Sequence, residues 1–214
     1  MELEDERREY RYGHLTRDSL AVSPFTQFDQ WMTDALAAGV QDPTAMCVAT
    51  VGADGRPSQR IVLLKHFDSD GFVFYTNLES RKARDISSND RISLHFAWLE
   101  IDRQLHIEGR AEKLKLTSVL KYFVSRPRDS QLAAWSSQQS RRLSSRQVLD
   151  DEFRTMQRKF SNREIPLPSF WGGYRVIPDF WEFWQGRENR LHDRFQYSPA
   201  SGDGNAWDIS RVAP

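Results

Sequence analysis

The chain has 214 residues, 39% of them hydrophobic and 28% charged, with 30 Lys and Arg balanced by 30 Asp and Glu. That length suits one domain with a sizeable core, and zero net charge argues against a general polyanion binder. The single cysteine, Cys47 in the apolar run AMCVATV, excludes an internal disulfide framework and a cysteine-based zinc cluster.

Residues 1–20 are polar and weakly patterned, and read as a mobile arm ahead of one domain spanning 21–214. The arm has no apolar leader segment, and no run reaches membrane-spanning length. A soluble, cytoplasmic protein is expected. The stretch SPFTQFDQWMTDALAAG predicts a helix with Ser23 as N-cap, Pro24 in first position and Gly39 at its end. Phe28, Trp31, Met32 and Leu36 give it an apolar face. Next come TAMCVATV, SQRIVLLKHF, FVFYTN, RISLHFAWL and QLHIEGRAEKL, mostly separated by turn-forming segments such as GADGRP and DSDG. These predict five strands in an antiparallel meander that closes into a small barrel. Long helices do not alternate with them, and no G-x-G-x-x-G or P-loop occurs, so a Rossmann-type sheet is excluded.

Residues 117–160 turn helical, most clearly where Leu149, Phe153, Met156 and Phe160 recur at helical spacing as a packing stripe. IPLPSFWGGYRVIP then reads as a punctuated loop. Two strands, near 175–184 and 190–197, are expected before a turn-rich segment and a closing AWDISRVAP. The five histidines are scattered without metal spacing, so no metal site is expected. There is no G-x-S-x-G elbow, and Asp150 and Asp151 fall on the wet face of a helix.

Four clusters carry chemistry. Ser80 as an N-cap puts Arg81 and Lys82 in a helix's first turn, where cations oppose the dipole by about 0.3–1 kcal/mol. A phosphate would turn that penalty into binding, whereas a solvated helix end would merely bear it. In QRIVLLK, alternation puts Arg60, Val62 and Leu64 on one face and Ile61, Leu63 and Lys65 on the other. Its two cations either line a barrel rim or simply reach water. Tyr122, Arg126, Arg128 and Ser130 group hydroxyls and guanidiniums around a proline, as a phosphate site or a solvated linker would. Finally, RLHDRFQY as a strand would put Arg190, His192, Arg194 and Gln196 on one face, costly to bury without a polar or anionic ligand.

The motif EFWQGRENRLHDR resembles the signature of the pyridoxine (pyridoxamine) 5′-phosphate oxidases. RREY, DPTAM, QRIVLLK, FYTN with SRKA, YFVSRPRDSQ, PLPSFWGG and a terminal Trp followed by Arg-x-Ala-Pro stand in that family's order across residues 7–214. The resemblance implies a mainly β fold with flanking helices, an antiparallel, Greek-key-like split β-barrel. It further implies a homodimer with FMN at each subunit interface. The implied reaction is oxidation of pyridoxine or pyridoxamine 5′-phosphate to pyridoxal 5′-phosphate, with hydride passing to FMN and O2 yielding H2O2. By the same resemblance FMN would be held by Arg60, Ile61, Val62, Leu63, Leu64, Lys65, Tyr75, Thr76, Arg81, Lys82, Gln104, Gln139, Ser140, Trp184 and Arg194. The substrate phosphate would meet Lys65, Tyr122, Arg126 and Ser130, with Arg190 and His192 as catalytic residues against the pyridine ring. Arg7, Arg8, Glu9 and Tyr10 would form an arm closing over the substrate. Arg187 and Asn189 fall in the variable part of the signature, Arg187 without an assigned role, and Val212 stands where leucine is common. A related split-barrel flavin or deazaflavin reductase and a non-enzymatic pyridoxal 5′-phosphate carrier are the rival readings.

Overall fold

The computed structural model describes residues 2–5, 8–201 and 206–214. Helix α1 runs Pro24–Ala37, with Ser23 extended at the N-cap and Pro24 opening the first turn. Gly39 (φ 70°) ends it in the left-handed region, while the Val40 N–H reaches back to Ala35 O at 3.0 Å. That conformation favours glycine over any residue with a Cβ. Phe28, Trp31, Met32 and Ala35 are buried, but Leu36, expected beside them, is 60% exposed. Its position lies about 80° around the helix from Phe28, at the margin of the stripe.

Among the described residues, nine strands build one antiparallel sheet: β1 Ala45–Val51, β2 Pro57–Leu63, β3 His66–Asp68, β4 Gly71–Asn77, β5 Arg91–Trp98, β6 Arg103–Lys113, β7 Trp171–Gln185, β8 Asp193–Pro199 and β9 Trp207–Val212. The order is β2-β1-β5-β6-β7-β4-β3, with β8 on β7 and β9 on β8. The expected meander is therefore corrected: β1 pairs with β5, and β4 pairs with β7. Consecutive N–H groups curl the sheet, Leu64 donating to Thr44 O (2.8 Å) and Lys65 to Val73 O (2.9 Å). One crossing thus ties the β1–β2 side to the β3–β4 side.

Strand β7 organises the rest. One edge follows β6 from Tyr174 to Gln185, while the other meets β4 over Trp171–Val176 and β8 over Trp181–Gln185. At the change of partner the β6 register shifts between Glu108 and Gly109. A Cβ on Gly109 would lie 2.2 Å from Ile177 O, so the irregularity needs a glycine there. The punctuated stretch expected to be loop becomes strand from Trp171 onward, and β9 is a strand the sequence reading did not contain. The strand expected at 190–197 begins only at Asp193. Before it, Glu188–Arg190 forms a 3-10 turn with Asn189 and Arg190 at φ 57° and 63°. Arg194 and Gln196 share a face as expected, but Arg190 and His192 lie outside the strand.

The main core joins α1 to the sheet, with Phe28 packed against Phe67, Phe72, Phe96, Trp98 and Trp181. Helices α2 (Arg81–Ser88), α3 (Leu116–Ser125), α4 (Arg128–Ser136) and α5 (Arg146–Lys159) flank it. A second cluster around Phe123, Leu132, Phe160 and Trp171 takes in Phe153 and Met156 of the α5 stripe. Leu149 faces the groove between α4 and α5. Asp150 and Asp151 pair with Arg146 and Arg154 on the outer face, as a wet face would. Residues 8–20 lie against the body: Leu15 and Leu20 are buried, and Asp102 accepts from the Arg11 and Tyr12 N–H groups at 3.0 and 3.2 Å.

Candidate active site

A cleft of about 690 Å³ opens between β2, the end of β4, the start of α2, and helices α3 and α4. Alternation along β2 is as expected, with Ile61 and Leu63 outward at 67% and 43% exposure. Leu64 turns away into the main core. Ser80 caps α2, its Oγ accepting from the Ala83 N–H at 3.4 Å, and the Arg81 N–H donates to Ser140 Oγ at 3.2 Å. Lys82 is only 6% exposed. Its Nζ donates to Thr76 Oγ1 (2.8 Å), Gln139 Oε1 (2.9 Å) and Ser80 Oγ (3.3 Å), all neutral acceptors. Burial, then the nearby Arg60 charge, pulls its pKa down to about 8. Burial likewise lowers the Arg60 pKa, with Asp85 opposing. Arg60 has the Asp85 carboxylate at 4.0 Å, but a desolvated cation with neutral acceptors alone, as at Lys82, is costly, and an anion relieves that cost.

The same cleft holds a second cationic point. Arg126 has a buried NH1 with no hydrogen-bond partner, and its guanidinium lies 4.9 Å from the Trp171 ring centroid and 5.9 Å from that of Phe123. Its pKa is lowered by burial, with Tyr122 opposing. Tyr75 stacks on Tyr122 at 3.9 Å and on Trp171 at 5.4 Å, nearly parallel to both. Lys65 lines the cleft with them. Of two further residues expected here, Ser130 sits in the first turn of α4, one turn after Arg126, its N–H donating to Pro127 O at 2.9 Å. Arg128 donates to the carbonyls of Phe160 and Arg163, bonds that fasten the C-terminal end of α5.

The remaining site residues gather at the far end of β7. The Tyr10 ring stands edge-on to Trp184 (5.6 Å) and His192 (5.3 Å), and the Arg190 guanidinium lies 5.6 Å from it. Arg8 approaches the same ring at 4.8 Å and pairs with Asp102 at 2.8 Å. Glu9 accepts from the Asn189 N–H at 3.2 Å; Arg7 lies outside the described residues. The Arg187 N–H donates to His192 Nδ1 at 3.1 Å, which places the neutral ring's proton on Nε2. Burial and then Arg190 lower the His192 pKa, with Asp193 opposing, which favours the neutral ring. Arg194 forks onto Glu182 at 2.9–3.1 Å and donates to Ala213 O at 2.7 Å. Gln104 stands opposite Trp184 in the β6–β7 register and is bonded to His95 Nε2 at 3.2 Å.

One row of cross-strand partners links the groups: Ile61, Cys47, His95, His106, Glu182 and Gln196. The sheet curls, so Trp171 at the start of β7 lines the cleft, whereas Trp184, thirteen residues farther along that strand, and Arg190, His192 and Arg194 beyond it do not.

Comparison with known proteins now decides the family. A family model described as pyridoxamine 5′-phosphate oxidase matches residues 32–160, and one described as the pyridoxine 5′-phosphate oxidase C-terminal dimerisation region matches 171–214. The chain belongs to the pyridoxamine 5′-phosphate oxidase family. Family relatives called pyridoxine/pyridoxamine 5′-phosphate oxidase include those of Vibrio vulnificus, 57% identical, and Photobacterium profundum, 55% identical, each over 214 residues covering all of both chains. Among solved structures, PhzG from Burkholderia lata, in complex with tetrahydrophenazine-1-carboxylic acid, is similar at TM-score 0.85 and 30% identity, over 94% of this chain and 98% of that one. A pyridoxamine 5′-phosphate oxidase-related FMN-binding protein from Nostoc punctiforme shares the fold at TM-score 0.70 and 15% identity, over 91% and 100% of the two chains. Among the described residues no helix is long and apolar enough to cross a membrane, and no group of His, Cys, Asp and Glu could hold a metal.

Sequence reasoning missed four partners of the expected site residues: Glu182, Asp193, Asp102 and His95. Asp193 accepts from the Leu15 N–H (3.0 Å), Arg211 (2.7 Å) and Arg187 (3.3 Å), which also gives the unassigned Arg187 a role. For Glu182 the alternation signal existed, since it precedes Trp184 by two residues and shares its face.

Proposed function

We propose that the chain oxidises pyridoxine 5′-phosphate and pyridoxamine 5′-phosphate to pyridoxal 5′-phosphate, using FMN as cofactor and O2 as acceptor, in a homodimer. One observation carries this reading: a single cleft holds two separate desolvated cationic points, Lys82 with neutral partners only and Arg126 with an unpartnered buried nitrogen. Two phosphates, one on a cofactor and one on a substrate, match that pairing.

The donor set fits FMN. Arg60, Arg81 and Lys82 with Ser140 would hold its phosphate, and Tyr75, Thr76, Gln139 and the outward face of β2 would flank the rest. Bound FMN would supply a two-electron acceptor for the substrate C4′ carbon and return the electrons to O2 as H2O2. The protein binds and orients. Arg126, Lys65 and Tyr122 anchor the substrate phosphate, leaving the pyridine ring to be held by Arg190 and His192. The neutral His192 keeps a proton at Nε2, available to a ring substituent. Tyr10, packed on Trp184 and His192, excludes water from that side. Because Trp184, Arg190, His192 and Arg194 stand apart from the cleft of their own chain, each complete site draws them from the partner subunit.

The absorbance spectrum of the purified protein tests this reading. A flavin band is expected, bleaching when pyridoxine 5′-phosphate is added without oxygen and returning, with H2O2, on exposure to air. A colourless protein that takes up no FMN, or a band indifferent to the substrate, would refute it. Turnover unaffected by Arg190→Ala would favour a related flavin reductase with another substrate.

A further inference from the structure

Behind the cleft wall lies a carboxylate with no part in the reading above. Asp85, in the second turn of α2, is 7% exposed. Its Oδ2 accepts from Thr50 Oγ1 at 2.8 Å and Ser58 Oγ at 3.1 Å. Those two hydroxyls are in turn the acceptors for Arg60, whose NH1 reaches Thr50 Oγ1 at 2.9 Å and whose NH2 reaches Ser58 Oγ at 2.6 Å. A third bond, NH1 to Val48 O at 3.1 Å, completes the hold. Each hydroxyl has one proton, and an ionised carboxylate only accepts. Both protons are therefore turned toward Asp85 and both sets of lone pairs toward the guanidinium. The direction of the whole network is set from Asp85 outward.

A carboxylate beside an anion site repels the anion it neighbours, so its burial there calls for a compensating role. Asp85 sits on the helix whose first turn carries Arg81 and Lys82, while Ser58 and Arg60 sit on β2. The network thus registers the three cations against one another. Burial and then Arg60 lower the Lys82 pKa, while burial and the Arg81 charge lower that of Arg60, so the cations repel one another and Arg60 needs a fixed partner to stay beside them. We infer that Asp85 is a positioning residue for the flavin phosphate, acting through Arg60, which it holds aimed into the cleft by way of Thr50 and Ser58. This rests on the FMN reading above.

Titration of the apo-protein with FMN and with riboflavin, which lacks the phosphate, tests the inference. Asp85→Ala is expected to weaken FMN binding on the order of tenfold, the scale of one charge-assisted hydrogen bond. Riboflavin affinity is expected to be unchanged, and the loss is expected to vanish in an Arg60→Ala background. FMN binding that is unchanged or tighter, as removal of a repelling charge alone would give, overturns the inference. So does a parallel loss of riboflavin affinity, or an undiminished loss in the Arg60→Ala background. Asp85→Asn keeps the side chain's shape and covers the case in which Asp85→Ala does not fold: weaker FMN binding supports the role, and tighter binding overturns it. A wild-type protein with no preference for FMN over riboflavin would remove the cofactor reading and the Asp85 role with it. A preference that keeps its full wild-type size in Asp85→Ala removes the role alone.

Discussion

Lys82 is the residue whose charge depends most on what the cleft holds. Its ammonium is buried among neutral acceptors, and its pKa is drawn down to about 8 by burial and then by Arg60. A phosphate nearby favours the charged form, so binding raises that pKa again. The sign follows: the lysine is ready for the anion below pH 8 and must take up a proton to bind it above. The dissociation constant for FMN should about double from pH 7 to 8 and rise on the order of tenfold by pH 9, with Lys82→Arg nearly level throughout. Fluorescence titration of apo-protein would read this, and a constant that stays level in the wild type to pH 9 contradicts it. This site was legible because cations at a helix start oppose the dipole, an anomaly visible in SRKA itself. Alternation gave the face of Glu182 but not its burial, and Asp193 had no signal, because a carboxylate in an isolated segment looks solvated until the strands that bury it are paired. Arg128 shows the converse: its sequence setting matched that of Arg126, yet the end of α5 supplies carbonyls that claim it.

At the scale of elements, the β3–β4 hairpin depends on a single backbone position. Gly71 has φ 126°, and a Cβ there would lie 2.0 Å from Val176 O on β7. Gly71→Ala must both strain the turn and push β4 off β7, costing about 2 kcal/mol or more. In a chain of this size that lowers the melting temperature by roughly 4–8 °C, measurable by calorimetry; an unchanged melting point would mean the hairpin relaxes freely. The glycine and the strands it joins could be read from DSDG between apolar runs. Which strands lie side by side could not. Alternation fixes the face a residue takes, but the pairing of β4 with β7 joins residues about a hundred positions apart, beyond any local signal. The same limit explains β9, whose strand character comes from the partner edge of β8 rather than from its own weak pattern. Arg190 was placed on a strand by alternation, yet left-handed backbone at Asn189 and Arg190 lifts it clear.

For the whole molecule, the decisive fact is where the site residues stand relative to one another. Tyr75, Lys82 and Arg126 share the cleft, whereas Trp184, Arg190, His192 and Arg194 cluster at and beyond the far end of β7 and do not line it. The C-terminal segment that carries the second cluster matches a dimerisation region. In a two-fold dimer each cleft would meet the partner's cluster, and every site would be built from two chains. That arrangement has a consequence that a single-chain site does not share. Arg126→Ala damages the cleft and Arg190→Ala damages the cluster, so each homodimer has both of its sites impaired. A mixed dimer carrying one of each places an intact cleft against an intact cluster in one site and both lesions in the other. Random pairing of equal amounts makes half of the dimers mixed, so co-expression should restore about a quarter of wild-type turnover. If cleft and cluster of the same chain served one site, no intact site could form in any pairing. Turnover of the co-expressed pair would then stay at the level of the separate variants, and the two-chain site would have to be abandoned.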